Sequence, residues 1–230
     1  MNDGGRELVG AEAVGARLGE RWLVRPVSFR LGAGQALALT GPNGSGKTTV
    51  LRIVLGRQAH SEGTLRRTVD LGGGAQGIAA MTGPPPFYSR LTVAEHLDAV
   101  EASWSGSGGM ALPLADVLKA LELERLADQY PDELSSGERQ GIGLVMALAR
   151  PAALLVLDEP EQRLDADRRV VIADLIRRRQ EQGAGILLAT HDHRLPGLLG
   201  ASRLTLSREE GFPAFLEPGD EPEAEPGQDT

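Results

Sequence analysis

A glycine-rich loop between a strand and a helix constrains the fold of this 230-residue chain more than any other feature. Positions 41–48 read GPNGSGKT, which fits the pattern G-x-x-x-x-G-K-[ST]. An apolar run at 35–40 precedes the loop, and a helical stretch at 48–55 follows it. Glycines let backbone N–H groups turn inward around phosphate oxygens, and the helix N-terminus adds a partial positive charge. This order of elements predicts an α/β fold that binds a nucleoside triphosphate.

Two side chains of the loop have specific predicted roles. Lys47 is expected to reach the β and γ oxygens of the nucleotide, and the Thr48 hydroxyl is expected to ligate Mg²⁺. The alternative is a glycine-rich turn that fits the pattern by coincidence, and the flanking strand and helix argue against it. The predicted nucleotide-binding residues here are Gly41, Pro42, Asn43, Gly44, Ser45, Gly46, Lys47, Thr48 and Thr49.

A second site is predicted at Asp158 and Glu159, which follow a continuous apolar run at 153–157. Such a run is typical of a strand buried on both faces of a parallel sheet. Carboxylates at the carboxyl end of that strand lie beside the phosphate loop, where open α/β sheets bind ligands. Asp158 is therefore expected to hold Mg²⁺ through water, and Glu159 to orient or polarise an attacking water. Two solvated acids after a strand are the alternative.

A helix is predicted from Ser136 to about Arg150, ahead of Pro151. Ser135 and Glu138 have the S-x-x-E spacing of a capping box, so on their own they indicate only a well-capped helix. A helix N-terminus with a hydroxyl cap also favours anions. The segment is therefore a second candidate phosphate contact.

Together with the strand that follows, this segment resembles a known family. The stretch 134–160 is similar to the signature and Walker B region of the ATP-binding cassette (ABC) family. The resemblance implies that Ser135 and Gly137 contact the γ-phosphate of ATP held on the phosphate loop of an opposite subunit. It places Ser136 and Glu138 in the same nucleotide site. The usual signature is L-S-G-G-Q, so these last two residues are mild departures.

The resemblance extends to His191, which follows the apolar run at 185–189. It looks like the family's switch histidine, which hydrogen-bonds the γ-phosphate and holds the catalytic water and glutamate in position. A lone histidine at a strand end is more often structural, but the place of His191 beyond the helix after Glu159 favours the switch role. His193 is expected to be solvated. The implied catalytic residues are Lys47, Glu159 and His191.

Composition excludes several classes of protein. The chain has no apolar run long enough to span a bilayer, and positions 1–10 are too polar for a signal peptide. It has no cysteine, which excludes disulfides and suits the cytosol. The formal charge is -8, and setting aside the six acids of 217–230 reduces it to -2. Without a basic excess, no nucleic-acid partner is expected.

The resemblance implies a P-loop NTPase fold of the ABC ATPase type, an α/β fold whose mostly parallel core sheet is flanked by helices. A small antiparallel β lobe and an α-helical subdomain at about 84–150 complete a single domain at 1–216. The acidic, proline-rich tail at 217–230 is expected to be disordered. Strands are predicted at 22–31, 35–40, 64–69, 78–82, 153–157 and 185–190, and the 64–69 and 78–82 strands are assigned to the β lobe. Further helices are predicted at 92–103, 114–121, 166–180 and 193–199.

Three departures from the family pattern are visible. The glutamine expected about eight residues before the segment at 91–95 is replaced by Gly83, which puts hydrolysis rate and coupling in doubt, although Thr82 is a candidate for part of its role. Leu18 stands where an aromatic ring usually stacks on adenine, and Trp22 is a candidate substitute. After Pro160 the usual small residues are replaced at 161–163, which predicts either an altered dimer contact or a loop that faces solvent.

The motifs occur in the family's order, and they predict an ATPase subunit of a membrane transporter. Its expected ligands are ATP and Mg²⁺, and its expected partners are transmembrane permease subunits and a second cassette. The expected location is the cytoplasm, on the inner face of the cell membrane, and the direction is expected to be export. One alternative is a weakly hydrolytic, ATP-gated partner of another cassette. The other is a soluble ABC protein that is not engaged in transport.

Overall fold

Two sheets organise the computed structural model, which describes residues 6–71, 75–83, 85–105, 109–207 and 215–217. One sheet has six strands in the order β5-β6-β7-β3-β8-β9, and the other has three in the order β2-β1-β4. In chain order the strands are β1 (Glu7–Leu18), β2 (Arg21–Gly32), β3 (Ala36–Thr40), β4 (Glu62–Arg67), β5 (Ile78–Met81), β6 (Leu154–Asp158), β7 (Gly185–Ala189), β8 (Ser202–Thr205) and β9 (Phe215–Glu217).

Helices and their caps connect these strands. They are α1 (Lys47–Val54), α2 (Val93–Trp104), α3 (Leu114–Ala120), α4 (Ser136–Ala149), α5 (Ala166–Glu181) and α6 (Leu195–Leu198), with 3₁₀ turns at Glu124–Leu126 and Pro131–Glu133. Thr92, Ser135 and Asp165 are the N-caps of α2, α4 and α5, and each side chain accepts a hydrogen bond from the third residue of its helix. Such caps satisfy backbone donors that the helix itself leaves free.

The central strands are buried, and their carboxyl ends meet at one edge of the sheet. Five neighbours, from β5 to β8 in sheet order, run parallel, and β9 is antiparallel to β8. Every residue of β7 is buried, as expected for a strand covered by helices on both faces. The loops that follow β3, β6 and β7 therefore emerge side by side. They carry the phosphate loop, the pair at 158–159 and the segment at 190–192.

The structure differs from the sequence analysis in one strand of each sheet. The sequence analysis did not identify β1, the middle strand of this sheet. Its pairing with β2 has several register shifts, and Ala13 has φ = 49°, so the alternation that marks a strand is interrupted. The strand predicted at 78–82 was assigned to the β lobe, but β5 pairs in parallel with β6 in the central sheet.

The other predicted elements agree with the structure to within about two residues, the margin usual for element ends. The helix predicted at 193–199 also falls within this margin, because α6 spans Leu195–Leu198. The sequence analysis did not identify β8 and β9. The boundaries of the predicted domain at 1–216 and of its helical subdomain stay predictions. For the tail, positions 218–230 lie outside the described residues.

No helix within the described ranges combines the length and the apolar character that crossing a bilayer requires. The apolar residues gather instead in two core clusters. One cluster holds buried residues of α2 to α5 and one face of the central strands. The other holds α1, the β lobe and the opposite face. The loops at the carboxyl edge are thus anchored on a sheet that is packed from both sides.

Candidate functional site

Two glycines of the phosphate loop are required by their surroundings. Gly41 has φ = 125°, and a Cβ atom there would lie 2.3 Å from the carbonyl oxygen of Leu206. Gly46, the N-cap of α1, has φ = 105°, and a Cβ atom there would lie 2.6 Å from the Cβ atom of Val24. Residues with a side chain rarely adopt these dihedrals and have no space here. The tight turn predicted from the glycine spacing is therefore present.

The Lys47 side chain is held against the loop. The residue is 6% exposed. Its Nζ atom donates hydrogen bonds to the carbonyl oxygens of Gly41 at 2.8 Å and Pro42 at 3.2 Å. A phosphate group in the loop would offer this ammonium a charged acceptor in place of the two neutral carbonyl oxygens. Hydrogen bonds to charged acceptors are stronger than those to neutral ones.

The two predicted Mg²⁺ ligands lie together. Thr48 Oγ1 donates a hydrogen bond to Asp158 Oδ2 at 2.8 Å. Hydroxyl and carboxylate oxygens suit Mg²⁺, which usually keeps several waters and takes further ligands from phosphates. Nowhere in the described part of the chain do three or more His, Cys, Asp or Glu side chains form a metal cluster. The residues present therefore fit a Mg²⁺ ion that is shared with the nucleotide, and they do not form an all-protein cage.

Burial raises the pKa of the Asp158 carboxyl group above its usual value. The hydrogen bond from Thr48 opposes this shift, and the neighbouring charge of Glu159 adds to it. A raised carboxyl pKa means that the folded protein binds the proton more tightly than the unfolded chain does. The ionised form of Asp158, which a metal requires, therefore reduces the stability of the nucleotide-free protein.

Asp158→Asn is accordingly expected to stabilise the nucleotide-free protein while it weakens Mg²⁺ binding. The benefit should be absent in acid, where Asp158 is protonated, and should appear as the pH rises through the raised pKa. At pH 8 we expect the midpoint of thermal unfolding to rise by about 2 °C. With MgATP the order should reverse, because the variant gains less from the ligand. Differential scanning calorimetry at several pH values measures both effects.

Asp174→Asn is the matched control for this prediction. The hydrogen bond from Arg177 lowers the pKa of Asp174, so its ionised form stabilises the fold above the unfolded pKa, and that contribution is lost as the pH falls. The control should therefore destabilise the protein at pH 8. An Asp158→Asn protein that is less stable than wild type at pH 8 without nucleotide would contradict the account.

The structure brings Glu159 and His191 into contact. Glu159 Oε1 lies 3.0 Å from His191 Nε2. The second oxygen, Oε2, accepts a hydrogen bond from Gln162 Nε2 at 2.6 Å. Gln140 Nε2 donates to the Glu159 carbonyl oxygen at 3.0 Å. The predicted base and the predicted switch histidine are therefore neighbours, and His193 is exposed, as expected.

Sequence analysis did not find the partners of this pair. Gln140 lies in the recognised stretch 134–160 but was given no role, and positions 161–163 were expected either to alter the dimer contact or to face solvent. Exposure to solvent holds for Gln162 and Arg163 but not for Glu161, which is 5% exposed, and the altered dimer contact stays a prediction. The sequence feature that could have pointed to these partners is the replacement of the small residues usual at 161–163 by long polar ones.

The start of α4 carries the predicted capping box. Ser135 Oγ accepts from the Glu138 N–H at 3.3 Å, and the Glu138 carboxylate accepts from the Ser135 N–H at 2.9 Å. The bonds that Glu138 accepts from the Ser135 side chain and backbone and from Arg125 lower its pKa to about 2. Ser135 and Ser136 are exposed. The cap is thus ordered while its surface stays open to a partner.

Comparison with known proteins decides the family. The ABC transporter family model matches residues 24–162. The chain is 38% identical over 198 residues to the cytochrome c biogenesis ATP-binding export protein CcmA of Cereibacter sphaeroides, covering 85% of this chain and 88% of the relative.

The chain belongs to the ABC transporter family. It is also 37% identical to the zinc import ATP-binding protein ZnuC of Rhizobium johnstonii, covering 80% of this chain and 58% of the relative. The fold is similar to that of a dimeric ATP-binding cassette, MJ0796, solved in a post-hydrolysis state with ADP and Pi. That likeness has a TM-score of 0.71 at 22% identity and covers 87% of this chain and 94% of the solved one. This ABC protein is therefore an ATPase of the class that serves transporters.

Two departures from the ABC pattern can now be located. Gly83, in place of the usual glutamine, has φ = 135°, and the Thr82 hydroxyl accepts a hydrogen bond from Arg57 at 2.9 Å. Leu18 is 72% exposed. Trp22 lines a cavity of about 370 Å³ beside the phosphate loop, and the Arg17 guanidinium lies 3.7 Å from its ring centroid. Trp22 is thus near the loop, with one ring face covered by a cation.

Proposed function

We propose that this ABC protein hydrolyses MgATP at a site built on the loops after β3, β6 and β7, and that the hydrolysis drives transport through separate membrane subunits. One observation carries the proposal. In a chain of this family, Thr48 contacts Asp158 and Glu159 contacts His191, at the edge of the sheet where α/β folds bind ligands.

The proposed roles follow from the chemistry of each group. Lys47 and the amides of the phosphate loop stabilise charge on the transferred phosphoryl group. Thr48 and Asp158 hold Mg²⁺, which when bound neutralises phosphate charge. Glu159 accepts a proton from the attacking water or orients that water, and His191 holds Glu159 and hydrogen-bonds the γ-phosphate. Every group is fixed at a strand end or a helix start, so little rearrangement is needed.

A second cassette completes each site in this proposal. Ser135, Ser136, Gly137 and Glu138 form an exposed or half-exposed surface at the start of α4, and a capped helix start favours an anion. We assign this surface to the γ-phosphate of ATP bound on the other subunit. The dimeric state of the solved cassette MJ0796 supports the assignment.

Dependence of the rate on protein concentration tests this pairing. If both subunits contribute to each site, the turnover per subunit should rise with concentration until the dimer is saturated. Light scattering at the same protein concentrations should show the mass of a dimer in MgATP and the mass of a monomer without it. Constant turnover per subunit from a protein that stays monomeric would exclude the shared site.

The membrane partner is proposed to dock beside Gly83. A groove of about 270 Å³ there is lined by polar and apolar residues of β5, α2 and α4, of the turn after α1 and of the loop after β5, among them Arg57, Thr82, Pro85, Met146 and Arg150. Tyr88, close to it in the chain, is 74% exposed. We place this protein on the inner face of the cell membrane, with transmembrane permease subunits covering this groove, and we expect no nucleic-acid partner.

Export is the proposed direction. The export protein CcmA matches over 88% of its own length, whereas two ZnuC import proteins match over 58% and 71% of theirs. This chain therefore corresponds more completely to the exporter subunit. The replacement of the glutamine by Gly83 favours one alternative, a weakly hydrolytic partner of another cassette. That alternative predicts ATP-dependent pairing without measurable turnover, and the contact between Glu159 and His191 argues against it.

A further inference from the structure

Both carboxylate oxygens of Glu159 have partners within the same chain. His191 lies 3.0 Å from Oε1, and Gln162 donates to Oε2 at 2.6 Å. Rotation of the carboxylate would break at least one of these contacts. The orientation of the proposed base is therefore fixed by two side chains that approach from different loops.

The main chain of this segment is held as well. The Glu159 N–H donates to the carbonyl oxygen of Ala189 at 2.8 Å, and the Glu159 carbonyl oxygen accepts from Gln140. Glu159 has φ = 49° and Arg163 has φ = 66°. Left-handed dihedrals are strained for a residue other than glycine. The hydrogen bonds of the Glu159 backbone offset this strain.

Glu161 ties this loop to the loop of His191. Its Oε1 atom accepts hydrogen bonds from the Thr190 hydroxyl, from the His191 N–H at 3.3 Å and from the Asp192 N–H at 3.4 Å. The residue is 5% exposed, and its Oε2 atom is buried without a hydrogen-bond partner among the described residues. A buried acceptor without a partner is destabilising. A contribution to stability alone therefore does not explain why Glu161 is buried here.

We propose that Glu161 and Gln162 are positioning residues that set the geometry of Glu159 and His191 within one subunit, before nucleotide or a second cassette binds. The proposal rests on the catalytic roles proposed above for that pair. Glu161 fixes the backbone that carries His191, and Gln162 fixes the carboxylate of Glu159. Groups held in the reactive arrangement in advance need not be ordered during the reaction.

Gln162→Ala tests the half of the proposal that concerns Glu159. Gln162 is exposed, so the variant should fold. We expect kcat to fall about 10-fold, since small displacements of reacting groups are costly, while KM for ATP stays within about twofold because nucleotide binding is not involved. Gln162→Glu should reduce kcat further, because it places a second carboxylate against Glu159. Gln182→Ala removes another exposed, hydrogen-bonded glutamine, at the end of α5, and should leave both constants unchanged.

Glu161 variants test the half that concerns His191. Glu161→Gln keeps an oxygen for the three donors and should retain most of kcat, whereas Glu161→Ala should lower kcat about 10-fold at unchanged KM. Thr190→Val removes one donor, so its effect on kcat should not add to that of Glu161→Ala. Circular dichroism melting of each variant establishes that folded protein is compared.

Two results would separate the possible failures. If Gln162→Ala and Glu161→Ala retain wild-type kcat while Glu159→Gln is inactive, the positioning roles are wrong and the proposed function stands. If Glu161→Ala lowers both kcat and the melting midpoint, and Glu161→Gln restores neither, Glu161 is structural and its positioning role is overturned. If wild-type protein does not hydrolyse MgATP, the proposed function fails, and the positioning proposal fails with it.

Discussion

Glu159→Gln should bind MgATP with nearly wild-type affinity and hydrolyse it about 10²–10⁴-fold more slowly, the range usual for loss of a general base. Glutamine keeps the shape of the side chain and an oxygen for Gln162 or His191, but it cannot take a proton. If two cassettes close on ATP and reopen on hydrolysis, as the family resemblance implies, the variant should accumulate as a dimer. Single-turnover hydrolysis and sedimentation velocity in MgATP measure the two effects.

Glu181→Gln is the control for this change. Glu181 is an exposed residue at the end of α5, and its Oε1 atom lies 3.9 Å from Arg177 Nε. The control should hydrolyse ATP at the wild-type rate and should not accumulate as a dimer. A Glu159→Gln protein with full turnover would show that another group activates the water.

Lys47→Ala should reduce the affinity for ATP about 100-fold, equivalent to about 3 kcal/mol. The ammonium is the only cationic side chain that the phosphate loop itself supplies, and its proposed contacts are charge-assisted hydrogen bonds to the β and γ oxygens. ADP lacks the γ-phosphate, so the loss of affinity for ADP should be smaller. Titration with a fluorescent ATP analogue, followed by competition with ATP and ADP, measures both affinities.

Lys119→Ala is a matched control, since these two are the only lysines in the chain. Lys119 is exposed on α3, and its removal should leave both affinities unchanged. Melting curves without nucleotide show whether either variant is unfolded, because Lys47 also donates to two loop carbonyls. A folded Lys47→Ala protein that binds ATP like wild type would remove Lys47 from the proposed site.

The parts of the site that were predicted from sequence depend on local signals. The phosphate loop is a contiguous pattern, and the pair at 158–159 directly follows an apolar run. Because parallel strands align their carboxyl ends, the contact between Thr48 and Asp158 could be anticipated although 110 positions separate them. The capping box at Ser135 is likewise local, and the structure contains it.

The missed parts depend on tertiary contacts. Glu161 is buried because the loop at 190–192 offers it three donors, and no local pattern reveals that pairing. The sequence of β5 is equally compatible with either sheet, and only its parallel pairing with β6 decides. In β1, irregular pairing with β2 hides the alternation. Sequence therefore predicted the groups proposed to do the chemistry better than the groups proposed to hold them.

The most direct test of the central claim, that this ATPase serves a membrane transporter, is to identify its partner. The tagged Glu159→Gln protein would be expressed in the native host, the membranes solubilised gently in MgATP, and the co-purifying proteins identified by mass spectrometry. The account predicts a membrane protein with several transmembrane segments, which is lost when Lys47→Ala is used as bait. Recovery of the bait only from the soluble fraction, with nucleic acid or ribosomes attached, would contradict it.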